Sequence, residues 1–284
     1  MKDKISNTDI EQIVQLIFTC NNIKESSSNY CYKDKNQIYK DVIETIERDE
    51  MIIYKDDQII SGVILWYYNK LQNTCDCSIF VNPINRNSLK IMKELIGKLK
   101  KHYQFPIKIN FFFPVENIQY TELLTSLNAH KNVNEYRLKL AKGSEKNLKL
   151  DKTITILDES SNLDFIELFN SVFPDIYIND ENVLTSIGKD RVVYSLTINK
   201  ELIAFSVLKF ESEKLGSAEI IGVKESFRNK GYGRLILSHL IFEAFSKYNL
   251  ASLNLVVDGD NLNAIKLYTD LGFTMFSENY CYEL

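Results

Sequence analysis

The residues best suited to chemistry are Arg228, Asn229, Lys230, Gly231, Tyr232 and Gly233, followed by Arg234 and a run with helical apolar spacing. The first turn of a helix leaves about four backbone N–H groups unpaired, and its dipole favours negative charge. Glycines at alternate positions let the backbone approach a phosphate where a Cβ would intrude. Arg228, Lys230 and Arg234 add positive charge at the rim. These types at this spacing suit a pyrophosphate. The pattern R-x-x-G-x-G alone is not decisive, because Gly-x-Gly turns begin many helices for backbone reasons only. A dinucleotide fingerprint is excluded, since its third glycine is Ile236 here, and a P-loop is excluded because no G-K-[ST] follows.

About 30 residues further on stand Asn261, Ala264, Leu267, Tyr268, Leu271, Gly272 and Phe273, in the pattern N-x-x-A-x-x-L-Y-x-x-L-G-F. Together with Val223, Arg228, Gly231 and Gly233, this closely resembles the GNAT acetyltransferases over Thr153–Leu284. The one departure is Glu225, where that family commonly has proline.

The resemblance implies acetyl-CoA (coenzyme A) as cofactor. In GNAT folds the strands before the two motifs splay apart and the pantetheine arm inserts between them. Backbone groups of Ile221 and Val223 would then bond the arm, and N–H groups from Asn229 to Arg234 would cradle the pyrophosphate. Asn261 would touch the arm; read from position alone, it serves equally as a helix N-cap. Direct attack by an amine on a thioester expels a thiolate, and the resemblance makes Tyr268 the general acid that protonates it. Periodicity alone also allows a core tyrosine, since Ala264, Tyr268 and Leu271 share a helical face. Glu219, which simple alternation places on the face of Ile221 and Val223, is the candidate general base or water relay. His239 packs or faces solvent. No cysteine sits at the motif, so direct transfer is expected, not an acyl-enzyme.

The elements that must position these residues can be read from periodicity. In the second half, Thr153–Leu157 reads as a strand and Leu163–Phe173 as a helix. A hairpin follows, Arg191–Ile198 and Leu202–Phe210. Then come a strand Ser217–Val223, an amphipathic helix, a strand Leu253–Val257, a helix Asn261–Leu271 and a closing strand Phe273–Tyr282. From Met51 onward the first half repeats this order, and residue matches recur at offsets of 142 and 144, as between Arg86 and Arg228 or Asn117 and Asn261. A period this long indicates a duplicated domain. The expected fold class is α/β (α+β), with two GNAT-like domains, 1–141 and 151–284. Each is a mixed, mostly antiparallel twisted sheet flanked by helices, and the polar stretch Ala141–Leu150 reads as a linker.

At an offset of 142, Leu89 and Ile91 replace Gly231 and Gly233; at 144, Leu124 replaces Tyr268. The first copy is therefore expected to keep the fold without cofactor binding. It would pack against the second and wall the acceptor site.

Composition bounds the rest. The 284 residues carry a net charge of −4; residues 1–140 hold 19 Lys+Arg against 17 Asp+Glu, leaving 15 against 21 for the second half. An acidic half without a basic block does not suit nucleic acid. The five cysteines form no CxxC pair and no metal-ligand spacing, and Cys75 and Cys77 read as buried thiols. With no signal-like h-region and no membrane-length apolar run, a cytoplasmic protein without membrane contact is expected. The expected function is acetyl-CoA-dependent N-acetylation of a primary amine, of a small molecule, with Asp175 and Tyr177 in the loop Phe173–Asp180 as candidate acceptor contacts. A protein amine stays open as acceptor, as does a homodimer formed through edge strands. The alternative is a non-catalytic acetyl-CoA-binding or scaffolding module.

Overall fold

Ser6 opens the first helix, α1 (Asn7–Asn21), with a reciprocal cap. Its hydroxyl accepts from the Asp9 N–H at 3.2 Å, and the Asp9 carboxylate accepts from the Ser6 N–H at 3.0 Å. Asp34 caps α2 (Lys35–Glu47) by accepting from Asn36 and Gln37. These two helices precede the repeat read from the sequence. They bury Ile10, Ile13, Ile17, Ile38 and Val42 against Val63, Leu65 and Phe80 of the sheet. In this computed structural model residues 5–70, 72–82, 84–174 and 180–284 are described.

After α2 come β1 (Met51–Asp56), β2 (Ile59–Asn69), β3 (Thr74–Val81), α3 (Ser88–His102), β4 (Lys108–Pro114), α4 (Ile118–Ser126), β5 (His130–Lys131) and β6 (Glu135–Ala141). β1, β2 and β3 form an antiparallel meander, and β4 joins β3 in parallel. α3 and α4 cover the opposite face from α1, over Ile64, Trp66, Ile79 and Phe111. Cys75 and Cys77 are buried there as expected.

The rest of the chain forms β7 (Ile154–Ile156), α5 (Asn162–Val172), α6 (Asp180–Ser186), β8 (Arg191–Ile198), β9 (Glu201–Phe210), β10 (Leu215–Val223), α7 (Tyr232–Ser246), β11 (Ser252–Asp258), α8 (Leu262–Asp270) and β12 (Thr274–Glu283). Asn199 and Lys200 both take positive φ, 52° and 67°, the turn that matches strand twist in a two-residue hairpin. The sheet runs β7, β8, β9, β10, β11 and β6. From β7 to β10 every pairing is antiparallel, and β10 and β11 are parallel; α7 lies on one face and α5 on the other.

The chain divides into two units, Met1–Glu135 with Glu278–Leu284, and Tyr136–Ser277. Each holds the mixed, mostly antiparallel sheet and flanking helices expected. The boundaries fall elsewhere than 141 and 151. Residues Asn279–Glu283 of β12 pair antiparallel with β4, so the last strand completes the first unit. Tyr136–Ala141 of β6 lies beside β11 in the second. The stretch after it is no linker: Lys142 and Lys146 donate backbone N–H groups to Ala251 and Leu271, and Leu148 packs on the core. Its closeness also explains Gly272, at φ 103°, where a Cβ would stand 2.3 Å from the Ser144 carbonyl oxygen. Among the described residues no helix is long and apolar enough to cross a membrane.

Candidate functional site

α7 begins at Tyr232 with Gly231 as its N-cap, at φ 87° and ψ 0°. Among the described residues no side chain caps this end, so the first-turn N–H groups of Tyr232, Gly233 and Arg234 have no helical or side-chain partner there. Asn229 also takes a left-handed φ of 62°, which curls the loop into a concavity ahead of the helix. A Cβ built on Gly233 would lie 3.7 Å from Leu267 and 3.8 Å from Val223. That space, between α7, α8 and the end of β10, is a cradle that a side chain would fill. The donors and the gap fit a pyrophosphate.

The rim cations are arranged unequally. Arg234 pairs with Asp270 at 2.8 Å. Arg228 donates through Nε to the Val223 carbonyl at 3.2 Å, and Lys230 to the Ser226 carbonyl at 2.9 Å. Among the described residues neither meets a carboxylate, so both keep their charge available to an anion.

Behind the loop, β10 and β11 share a ladder only at Leu215–Ser217 with Ser252–Asn254. β10 then runs on to Val223 and β11 to Asp258 without pairing to each other. On its other edge β10 stays with β9 as far as Val223 and Ala204. The Lys224 N–H donates to Ile203 on β9 at 2.8 Å, so ladder alternation turns the backbone groups of Ile221 and Val223 toward the gap. The gap therefore offers strand backbone along one wall and the glycine cradle at its end. The Val223 carbonyl is already engaged by Arg228.

α8 forms the third side. Asn261 is its N-cap, accepting from the Ala264 N–H at 3.2 Å, so the capping reading of this residue is realised. Tyr268 is partly buried, its ring edge-on to Phe273 at 6.1 Å. Among the described residues nothing hydrogen-bonds its hydroxyl, and burial pushes the phenol up to about 12. It is thus a neutral O–H, able to donate, across the physiological range. His239 packs edge-on against Tyr194 at 5.1 Å, its pKa lowered by burial.

Glu219 does not stand where alternation placed it. Ala218 pairs with Leu208 and both face α7; Ile220 pairs with Val207 and both face α5. Glu219 is the extra residue between them, a β-bulge. The bulge turns it to the α5 face, opposite Ile221 and Val223. There Arg191 grips it through Nε at 2.6 Å and Nη2 at 2.8 Å, with Lys209 at 3.9 Å. Both of its carboxylate oxygens are thus committed to the guanidinium fork.

Residues 156–273 match the Acetyltransferase (GNAT) family. This segment is a GNAT acetyltransferase domain.

The GNAT domain is 32% identical over 87 residues to a mycothiol acetyltransferase from Corynebacterium efficiens, a match covering 29% of this chain and 28% of that relative. The match therefore spans little more than a quarter of the relative's length. Solved structures extend the likeness in fold to the whole chain. A GCN5-related N-acetyltransferase from Sphaerobacter thermophilus superposes with a TM-score of 0.76 at 12% identity, over 98% of this chain and 92% of that one. A tandem GNAT protein from the clavulanic acid biosynthesis pathway gives 0.66 at 11% identity, over 98% and 95%. The chain has the tandem GNAT fold.

In the first unit the helix matching α7 is α3, and it begins at Ser88. The counterparts of Gly231 and Gly233 are therefore Asn87 and Leu89; the loop is two residues shorter than an offset of 142 assumes. Asn87 sits at an ordinary φ of −99°. Leu124, matching Tyr268, is fully buried.

One residue near the GNAT cleft went unread in the sequence. Asn254 stands on the last rung of the β10–β11 ladder, between Leu253 and Leu255 of the α7 core, so it faces α5 with Glu219. Among the described residues its buried Oδ1 has no hydrogen-bond partner. An asparagine between two leucines in a strand was the signal available. Asp175 and Tyr177 lie outside the described residues.

Proposed function

We propose that the second unit is an acetyl-CoA-dependent N-acetyltransferase that acetylates a primary amine of a small molecule by direct transfer. The observation that carries this reading is the parting of β10 from β11 toward the uncapped, glycine-led start of α7. Tyr232, Gly233 and Arg234 would hold the pyrophosphate through backbone N–H groups, with Asn229, Lys230 and Gly231 shaping the loop and Arg228 adding charge. Ile221 and Val223 would hold the arm through backbone groups, and Asn261 through its exposed amide.

When bound, acetyl-CoA supplies an activated acyl group as a thioester. In direct transfer to an amine, Tyr268 would donate its phenol proton toward the leaving sulfur and would recover one from solvent. The amine's own surplus proton leaves to solvent or to a base. The α5 face suits the acceptor: the buried Asn254 Oδ1 needs a donor, and an amine N–H is one. With Glu219 paired to Arg191, we read the amine as arriving neutral or shedding its proton to water.

Glu219's engagement also favours a second reading, an acetyl-CoA-binding module without turnover. Calorimetry with acetyl-CoA on wild type and on the double variant Gly231→Val, Gly233→Val, followed by a coenzyme A release assay over a panel of small primary amines, tests both. One equivalent bound, lost in the folded double variant, with release on at least one amine, supports the enzyme. Binding without release on any amine supports the module. No binding by wild type sinks both.

A further inference from the structure

β3 and β4 of the first unit part as β10 and β11 do. Their ladder covers Thr74–Cys77 and Lys108–Phe111 and stops, while β3 continues to Val81 and β4 to Pro114. Ile79 stands two residues before the end of β3, as Ile221 stands two before the end of β10. Across the gap, Tyr120 is the third residue of α4, with its N–H held by Asn117 Oδ1 at 3.1 Å. Ala264 is the third residue of α8, its N–H held by Asn261 in the same way at 3.2 Å. The two positions are equivalent and differ by a phenol.

That phenol fills the gap. The Tyr120 hydroxyl accepts from the Ile79 N–H at 2.6 Å and donates to the Ile79 carbonyl. The ring is edge-on to Phe113 at 5.0 Å and Phe111 at 6.3 Å, and Tyr120 is 2% exposed. One hydroxyl thus serves both backbone groups of one strand residue, as an amide donor and acceptor of a bound arm would. In a buried gap, leaving that N–H and C=O unserved would be costly.

We infer that Tyr120 is a built-in occupant of the first unit's ligand gap: its phenol takes at Ile79 the place that the cofactor arm takes at Ile221, so the chain binds one equivalent of acetyl-CoA. The identity of the arm rests on the functional reading above; the occupancy by Tyr120 does not. The first unit is closed by a side chain as well as by lost glycines. The second unit is open because Ala264 is small.

The test uses the full chain. Tyr120→Ala lowers Tm by roughly 10 °C, and p-cresol, the missing side chain as a free molecule, raises the variant's Tm more than wild type's and more than toluene does. Equal effects of p-cresol and toluene, or an unchanged Tm, would overturn the inference. If Tyr120→Ala fails to fold, Tyr120→Phe keeps the ring and removes the hydroxyl; a Tm several degrees lower is expected, and an unaltered one overturns the contact. Conversely, Ala264→Tyr plants a phenol opposite Ile221. Loss of acetyl-CoA binding by this folded variant is expected, and retained wild-type affinity overturns the equivalence. Two equivalents bound by wild type overturn the closure. Wild type binding none overturns the functional reading alone, since the p-cresol comparison still decides Tyr120.

Discussion

Arg191 grips Glu219 through two guanidinium nitrogens, at 2.6 and 2.8 Å, and the bulge at Glu219 puts this pair on the α5 face of β10. Both side chains are nearly enclosed, at 11% and 6% exposure. A buried pair broken on one side leaves an uncompensated charge. Glu219→Gln should therefore cost roughly 3 kcal/mol of stability, read as a lower Tm. Turnover should fall no more than a few-fold, with the pH profile unmoved. A loss near 10² with a shifted acidic limb would restore Glu219 to the role of base.

Gly231 and Gly233 should fail differently. Gly231→Ala meets no atom within 4 Å, but its φ of 87° strains any side chain, at about 1 kcal/mol. It should lower Tm slightly and weaken acetyl-CoA. Gly233→Val is free of that strain and fills the space beside Leu267 and Val223. Calorimetry should find binding abolished with Tm close to wild type; normal binding would remove the cradle from the site.

Tyr268→Phe should keep acetyl-CoA affinity and lower kcat about 10²-fold. Because the folded phenol is raised to about 12 from an ordinary 10.0, the native state holds a proton there that the unfolded chain has lost. Its contribution to stability is complete below about pH 10 and disappears as pH rises through about 12. Urea titrations across that window should show a falling stability whose slope is smaller in Tyr268→Phe. Within an assay range up to about pH 9.5, no alkaline limb should come from Tyr268; a limb near pH 8 that vanished in the variant would contradict the assignment.

The two equivalent caps offer a paired comparison. Asn261→Ala removes an exposed cap and should cost about 1 kcal/mol. Asn117 is fully buried and also donates to the Ser27 carbonyl at 2.9 Å, so Asn117→Ala should cost roughly 2–3 kcal/mol. Only Asn261→Ala should weaken acetyl-CoA, by about fivefold, the worth of one hydrogen bond. Equal affinity in both variants would reduce Asn261 to its capping role.

What was legible in the sequence was what short stretches of chain decide for themselves. Gly231 demands a left-handed turn, the spacing of Asn261 and Ala264 demands a capped helix start, and β-branched and aromatic content marks Arg191–Ile198 as a strand whatever its partner. These depend on backbone sterics and on neighbours within a few residues, so most of the order of elements, the duplicated fold and the glycine loop were readable from the chain alone, though α1, α2, β5 and α6 were not. The facing of Glu219 was not: its bulge is a register shift against β9, and one extra residue reverses every side chain beyond it. Nor was the role of Ala141–Leu150, whose polar composition looks like a tether until Ala251 and Leu271 supply partners for its N–H groups. The last strand pairs with Phe111–Phe113, about 170 residues earlier in the chain. Tyr120 reads as one more apolar position on a helix; only when β3 and β4 part in three dimensions does its hydroxyl find Ile79. Local sterics are written in adjacent residues, whereas hydrogen-bond partners across a sheet are chosen by whichever distant backbone the fold leaves unpaired.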